Sequence, residues 1–127
     1  MDNLHTRLRD VHEAGVYRLN CTVDVLRDAA HEAGFALFEL DLAHVHNKGE
    51  LLAGLAEAIG APEWFGNNWD ALADALADLS WHPAPGYVVL LRDTGLAGSD
   101  EITLSNILLE ASAYWEMRGK AFWAFFA

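Results

Sequence analysis

Two runs constrain this chain more than anything else in it: residues 87–91, YVVLL, and residues 121–126, AFWAFF. Neither alternates between apolar and polar positions, so neither can present one face to water. Each is expected to be a strand with layers on both sides, the second of them without a single polar residue. Strands of this kind belong to parallel sheets flanked by helices, which sets the expected class as α/β, a small parallel β-sheet layered with helices.

The rest of the chain supplies those layers. Residues 3–13 can form a short amphipathic helix through Leu4, Leu8 and Val11, closed by Gly15. Residues 16–19 read as a short strand. Thr22 or Asn20 caps a helix over residues 23–33 that buries Val25, Leu26 and Ala29 and stops at Gly34. Residues 35–42, FALFELDL, are dense enough in apolar and aromatic side chains for a largely buried strand. A strand, helix, strand order predicts that the two strands pair in parallel through a right-handed crossover. Asn47 caps a helix over residues 49–59 with Leu51, Leu52, Leu55 and Ile59 on one stripe, ended by Gly60. A last helix opens near Thr103 or the acids before it and runs to about Arg118. Its buried stripe is Leu104, Ile107, Leu108, Ala111 and Trp115, and Gly119 closes it.

Between these elements lies the stretch that carries the chemistry, APEWFGNNWDALADALADLSW, residues 61–81. Pro62 and Gly66 punctuate a turn bearing Trp64 and Phe65, and Asn68 stands where an N-cap belongs. A helix is expected from about Trp69 to Leu79. At about 100° per residue, Trp69, Leu72, Leu76 and Leu79 share one side, and Asp70, Asp74 and Asp78 share nearly the opposite one. Ala71, Ala73, Ala75 and Ala77 leave no long side chain to cover or pair with those carboxylates. No Lys or Arg occurs between Lys48 and Arg92, while Glu50, Glu57, Glu63, Asp70, Asp74 and Asp78 all do, giving that window a formal charge of six negative. Large aromatics beside a bare acidic ridge have the makings of a binding surface: anchors and complementary charge. A solvated face that only keeps the protein soluble is the plainer alternative.

The run from Pro62 to Leu76, PEWFGNNWDALADAL, closely resembles the signature of the barstar family, intracellular proteinaceous inhibitors of small secreted bacterial ribonucleases. The shared pattern is a Pro, an aromatic pair, Gly, a polar residue, Asn, an apolar residue, Asp-Ala-Leu, one variable position and Asp, with no gaps. Weaker similarity in element order extends from about Phe35 to the C-terminus. The resemblance implies one domain over residues 1–127, with a barstar-like core at 35–127 and an N-terminal strand and helix extension at 1–34. It also implies that the turn and helix plug a ribonuclease active site, carboxylates standing in for substrate phosphates. Trp64 occupies the position that packs on the enzyme's catalytic histidine; Asp74 matches the acid that meets the phosphate-binding arginines and histidine; Asp70 matches a second acid facing an arginine. Phe65, Gly66, Asn67, Asn68, Ala73 and Asp78 complete the implied partner surface. Ala73 stands where the best-studied member has Trp, Trp64 and Phe65 replace tyrosines, and Asn67 replaces an acid. A glutamate that the last helix contributes in that member has two candidate counterparts here, Glu110 and Glu116.

Charge and composition narrow the classes further. A net charge of −11 repels nucleic acid and anionic membranes and favours a cationic partner, here a small basic extracellular ribonuclease of the barnase-like or guanyl type. An immunity or interaction module that neutralises another basic toxin with the same surface is the alternative. Catalysis is not expected: the aligned carboxylates have no adjacent nucleophile and no Gly-rich phosphate loop. Nor is a metal or other cofactor, since His44 and His46 are spaced to share an ion but lack a third ligand of matching spacing. His82, near the end of the acidic helix, is positioned to lend the surface a weak pH sensitivity. Cys21 is alone, and the N-terminus shows no apolar signal-type run, so a cytoplasmic protein, monomeric when free, is expected.

Overall fold

The computed structural model of the chain describes residues 4–62, 66–93 and 99–127. Four strands form one all-parallel sheet: β1 (Val16–Arg18), β2 (Ala36–Asp41), β3 (Gly86–Arg92) and β4 (Ala121–Phe126), in the order β1-β4-β3-β2. The two apolar runs are therefore the two inner strands, and every residue of β4 is buried. Side chains alternate between faces as the pleat requires. Tyr87, Val89, Leu91, Phe122, Ala124 and Phe126 enter one core, and Val88, Leu90, Ala121, Trp123 and Phe125 enter another on the opposite face.

The first core is covered by α3 (Lys48–Ile59), α4 (Trp69–Leu76) and α5 (Ser99–Glu116); α3 and α5 bury the stripes the periodicity predicts, while α4 buries Leu72, Ala75 and Leu76 and leaves the expected Trp69 only half-buried. The second is covered by α2 (Val23–Ala33), through Leu26, Ala29 and Ala30, and by Leu8 just beyond the four-residue helix α1 (Leu4–Arg7). Thr22, Asn47 and Asn68 each accept a backbone N–H three residues on, capping α2, α3 and α4. Gly34 and Gly60 end α2 and α3 in the left-handed conformation.

Three expectations need correction. The helix over residues 3–13 is a single turn, Leu4–Arg7, followed by turns; Gly15 is not left-handed and closes nothing. The short segment is held instead by burial of Leu8 and by the Trp123 indole, whose Nε1–H donates to the Leu8 carbonyl at 2.8 Å. Next, β1 and β2 do not pair. They lie at opposite edges, β1 against β4 (Val16 opposite Ala124) and β2 against β3 (Ala36 opposite Tyr87). An inner strand as apolar as β4 needs a backbone partner on each side, and β1 supplies the second one. Being at an edge, β2 buries only Ala36 and Phe38, and its outward acid Glu39 is clasped by Arg27 at 2.8 and 3.0 Å. That hydrogen bonding holds the Glu39 carboxyl below its ordinary range, and the backbone N–H of Ala43 does the same for Asp41.

The third correction concerns the acidic helix. Its last helical residue is Leu76, three short of the expected end, because Leu79 adopts a left-handed conformation (φ 50°) and turns its side chain into the core at 1% exposure. The Leu79 N–H bonds back to the Ala75 carbonyl at 3.0 Å, which closes the helix in the manner usually left to glycine. A left-handed Leu costs about 1–2 kcal/mol, comparable to what burying the side chain returns. The freed Leu76 carbonyl takes the buried Trp115 indole N–H at 2.8 Å. Likewise Trp81 donates to the carbonyl of Ile59, the last residue of α3, at 2.9 Å. Three indoles thus satisfy carbonyls that chain segments leave open where they stop.

Candidate functional site: an acidic helix and its groove

The order of elements fixes where α4 can point. Its Leu72, Ala75 and Leu76 sink into the first core, each at 1% exposure or less, so the other side of the helix is turned outward. Asp70 and Asp74 are exposed on that side. Asp78 is exposed too, but it lies in the turn beyond the helix, so the ridge comprises two helical carboxylates and one that follows them. No basic side chain among the described residues forms an ion pair with Asp70, Asp74 or Asp78. The acids that are paired lie elsewhere: Arg7 with Glu13, Arg27 with Asp24 and Glu39, Arg92 with Glu39 and Asp41.

The entry to the helix is equally defined. Asn68 Oδ1 accepts the Ala71 N–H at 2.7 Å, and the Asn68 N–H bonds to the Gly66 carbonyl at 2.9 Å. A Cβ on Gly66 would sit 3.2 Å from the Asn68 amide and 3.4 Å from Ala71 Cβ, so Gly66 lies close against the first turn of the helix. Asn67 is exposed beside it. Trp64 and Phe65, expected as the aromatic anchors, lie outside the described residues. Fixed by its cap at one end and by the Trp115 indole at the other, α4 presents its carboxylates from a helix tied down at both ends.

Sequence reasoning did not foresee that α4 and α5 leave a groove between them, of about 240 Å³. Ala73 of α4 and Ala77 just past its end, with Ile107 and Ala111 of α5, form its apolar floor. Asp74 stands on one rim and Glu110 on the other, and Tyr114 also lines it. This separates the two glutamates offered as counterparts: Glu110 shares the groove with Asp74, whereas Glu116 is drawn away to the His12 ring of the N-terminal segment, 3.1 Å distant. The signal for Glu110 was present in its three-residue spacing from Ile107, which puts both on the side of α5 nearest α4. The exposed His82 ring packs edge-on against Phe38 with centroids 5.2 Å apart.

No group of three or more metal-ligating side chains gathers among the described residues, and no helix among them is long and apolar enough to cross a membrane. No curated protein matches the chain. A protein-family model described as Barstar (barnase inhibitor) matches residues 35–127, from the residue before β2 to the C-terminus, and so takes in α4, the groove beside it and both inner strands. Matched over most of its length, and built as a parallel sheet with an acidic helix turned outward, the chain belongs to the barstar, or barnase-inhibitor, family.

Proposed function

We propose that this protein inhibits a small, basic, secreted bacterial ribonuclease by inserting α4 and the turn before it into the enzyme's cationic cleft. The observation that carries this reading is the state of Asp70 and Asp74: exposed, adjacent on one helix face, without an ion pair among the described residues, and mounted on a helix fixed at both ends. Carboxylates already held in place need little ordering when a partner arrives, which lowers the entropic cost of association. A ribonuclease cleft must gather cationic groups to hold RNA phosphates, and an anionic ridge on a protein of net charge −11 draws such a cleft toward it from a distance. Trp64 is the aromatic anchor of this reading, Asp74 the central charge and Asp70 the second. The protein works in the cytoplasm of the cell that makes the ribonuclease, sparing that cell's own RNA.

The test is a titration of a panel of small basic ribonucleases with the purified protein, following RNA cleavage. At least one enzyme is inhibited stoichiometrically, with association slowing steeply as salt is raised. Asp74→Ala weakens inhibition by orders of magnitude, because it leaves the enzyme's cations desolvated without a partner. Inhibition that survives Asp74→Ala unchanged would place the interface elsewhere.

A further inference from the structure

The face of the sheet away from α4 has an opening of its own. Between α1 and the carboxyl ends of β1 and β4 lies a cavity of about 80 Å³, lined among others by Leu4 and Arg7 of α1, Tyr17 and Arg18 of β1, Asn20 just beyond it, and Phe125 of β4. The crevice outside the carboxyl ends of parallel strands is where α/β sheets commonly take ligands. Apart from β4, its walls come from the first 20 residues, ahead of the family-matched region 35–127. One wall is preset: the Tyr17 ring leans on Trp123 and Phe125, with centroids 5.5 and 6.3 Å away, and its hydroxyl donates to the Glu13 carbonyl at 2.5 Å. In a chain with 19 acidic and 8 basic residues, the charged side chains lining this cavity are both arginines, and no carboxylate among the described residues lines it. Arg7 is held by Glu13, Nε to Oε1 at 3.1 Å, while its terminal nitrogens and the whole of the exposed Arg18 guanidinium form no ion pair among the described residues.

We infer that this cavity binds one carboxylate group carried on a short apolar stem, the carboxylate between Arg7 and Arg18 and the stem against Leu4 and Tyr17. Three properties select that ligand. Charge is the first: two guanidiniums less the Glu13 carboxylate leave one positive charge, which a monoanion balances and a phosphate dianion exceeds. Size is the second. A water takes about 30 Å³ of liquid and benzene needs a cavity of about 150 Å³, so about 80 Å³ admits a carboxylate with a few methylenes and excludes a whole ring. Chemistry is the third: the planar N–H fork of an arginine matches the two oxygens of a carboxylate, and the Asn20 amide adds a donor at the same rim, while the aliphatic and aromatic walls favour an apolar stem. Two sources carry this group, a free short-chain acid and the C-terminal residue of a polypeptide. The site is separate from the acidic ridge, since α4 covers the opposite face of the sheet.

The test follows the backbone amide resonances of the isotope-labelled protein during addition of butyrate, its neutral isostere butyramide, inorganic phosphate or N-acetyl-alanyl-alanine. Saturable shifts at Arg7, Tyr17, Arg18 and Asn20 are expected with butyrate and with the dipeptide, weaker ones with phosphate and none with butyramide. Tighter binding of the dipeptide supports the inference with a polypeptide terminus as the source; equal or tighter binding of butyrate supports it with a free acid. Arg18→Gln, a change at an exposed side chain, should weaken butyrate binding at least about tenfold while leaving the remaining spectrum in place, and Arg18→Lys should retain part of it. Equal responses to butyrate and butyramide, no response at these four amides, a response to phosphate as strong as that to butyrate, or undiminished binding by Arg18→Gln overturns the inference. With a ribonuclease that the protein inhibits, Arg18→Gln should inhibit like the parent. Lost inhibition in that variant would make the cavity part of the partner surface and overturn its assignment as a separate site.

Discussion

Replacing Trp115 with Phe probes the device that keeps α4 in place. The change retains a ring at a site that is 8% exposed and removes the N–H that caps the Leu76 carbonyl at 2.8 Å. That carbonyl closes the core side of the helix end, where water cannot readily replace the lost donor. An acceptor left unsatisfied in such a place costs about 1–3 kcal/mol. The smaller ring also loosens its contact with Tyr87, now 5.2 Å between centroids, and incomplete filling adds about 1 kcal/mol. The expected loss is therefore about 2–4 kcal/mol, a large share of the roughly 5–15 kcal/mol that holds a domain folded. At about 4 °C per kcal/mol for a chain of this length, the thermal midpoint falls by about 8–16 °C. Trp81→Phe provides the contrast, since its bond to the Ile59 carbonyl is only part-buried and water can take it over, for a loss of about 0.5–1.5 kcal/mol. Urea unfolding followed by near-ultraviolet circular dichroism measures both. If Trp115→Phe costs no more than Trp81→Phe, the indole does not anchor the end of α4, and the claim of a helix fixed at both ends fails.

Two further outcomes follow from other parts of the molecule. Leu26 is fully buried in the second core, so Leu26→Ala should cost about 2–5 kcal/mol in urea unfolding; a loss under about 1 kcal/mol would mean that α2 is not an integral layer. The carboxyls of Glu39 and Asp41 ionise more readily in the folded protein than their ordinary values of 4.5 and 3.8, so the stability they contribute is complete above those values and is lost as pH falls below them. The urea midpoint should decline as pH drops from about 5 toward 3, and Arg27→Gln, which removes the main hydrogen-bond donor to Glu39, should flatten that decline. A decline of unchanged steepness in the variant would show that the Arg27 and Glu39 pair is not its source.

What the sequence by itself determined is what near neighbours along the chain decide. Asn47 and Asn68 cap because their side chains reach an N–H three residues away, and Gly60 stops a helix because it can turn left-handed without strain. The runs YVVLL and AFWAFF had to be inner strands because they offer no polar face, and the spacing of Asp70 and Asp74 had to put both on the outer side of α4. Only the tertiary structure decided matters settled by partners far along the chain. It placed β1 on β4 rather than on β2, because the second edge of β4 required a backbone partner. It ended α4 at Leu76, where Leu79 turns left-handed while staying buried and Trp115, 39 residues further on, takes the open carbonyl. It also set two glutamates six residues apart on one helix in different surroundings, Glu110 across a groove from Asp74 and Glu116 beside His12. Local spacing can say which side of its own helix a residue faces, but what stands opposite is fixed only when the layers pack.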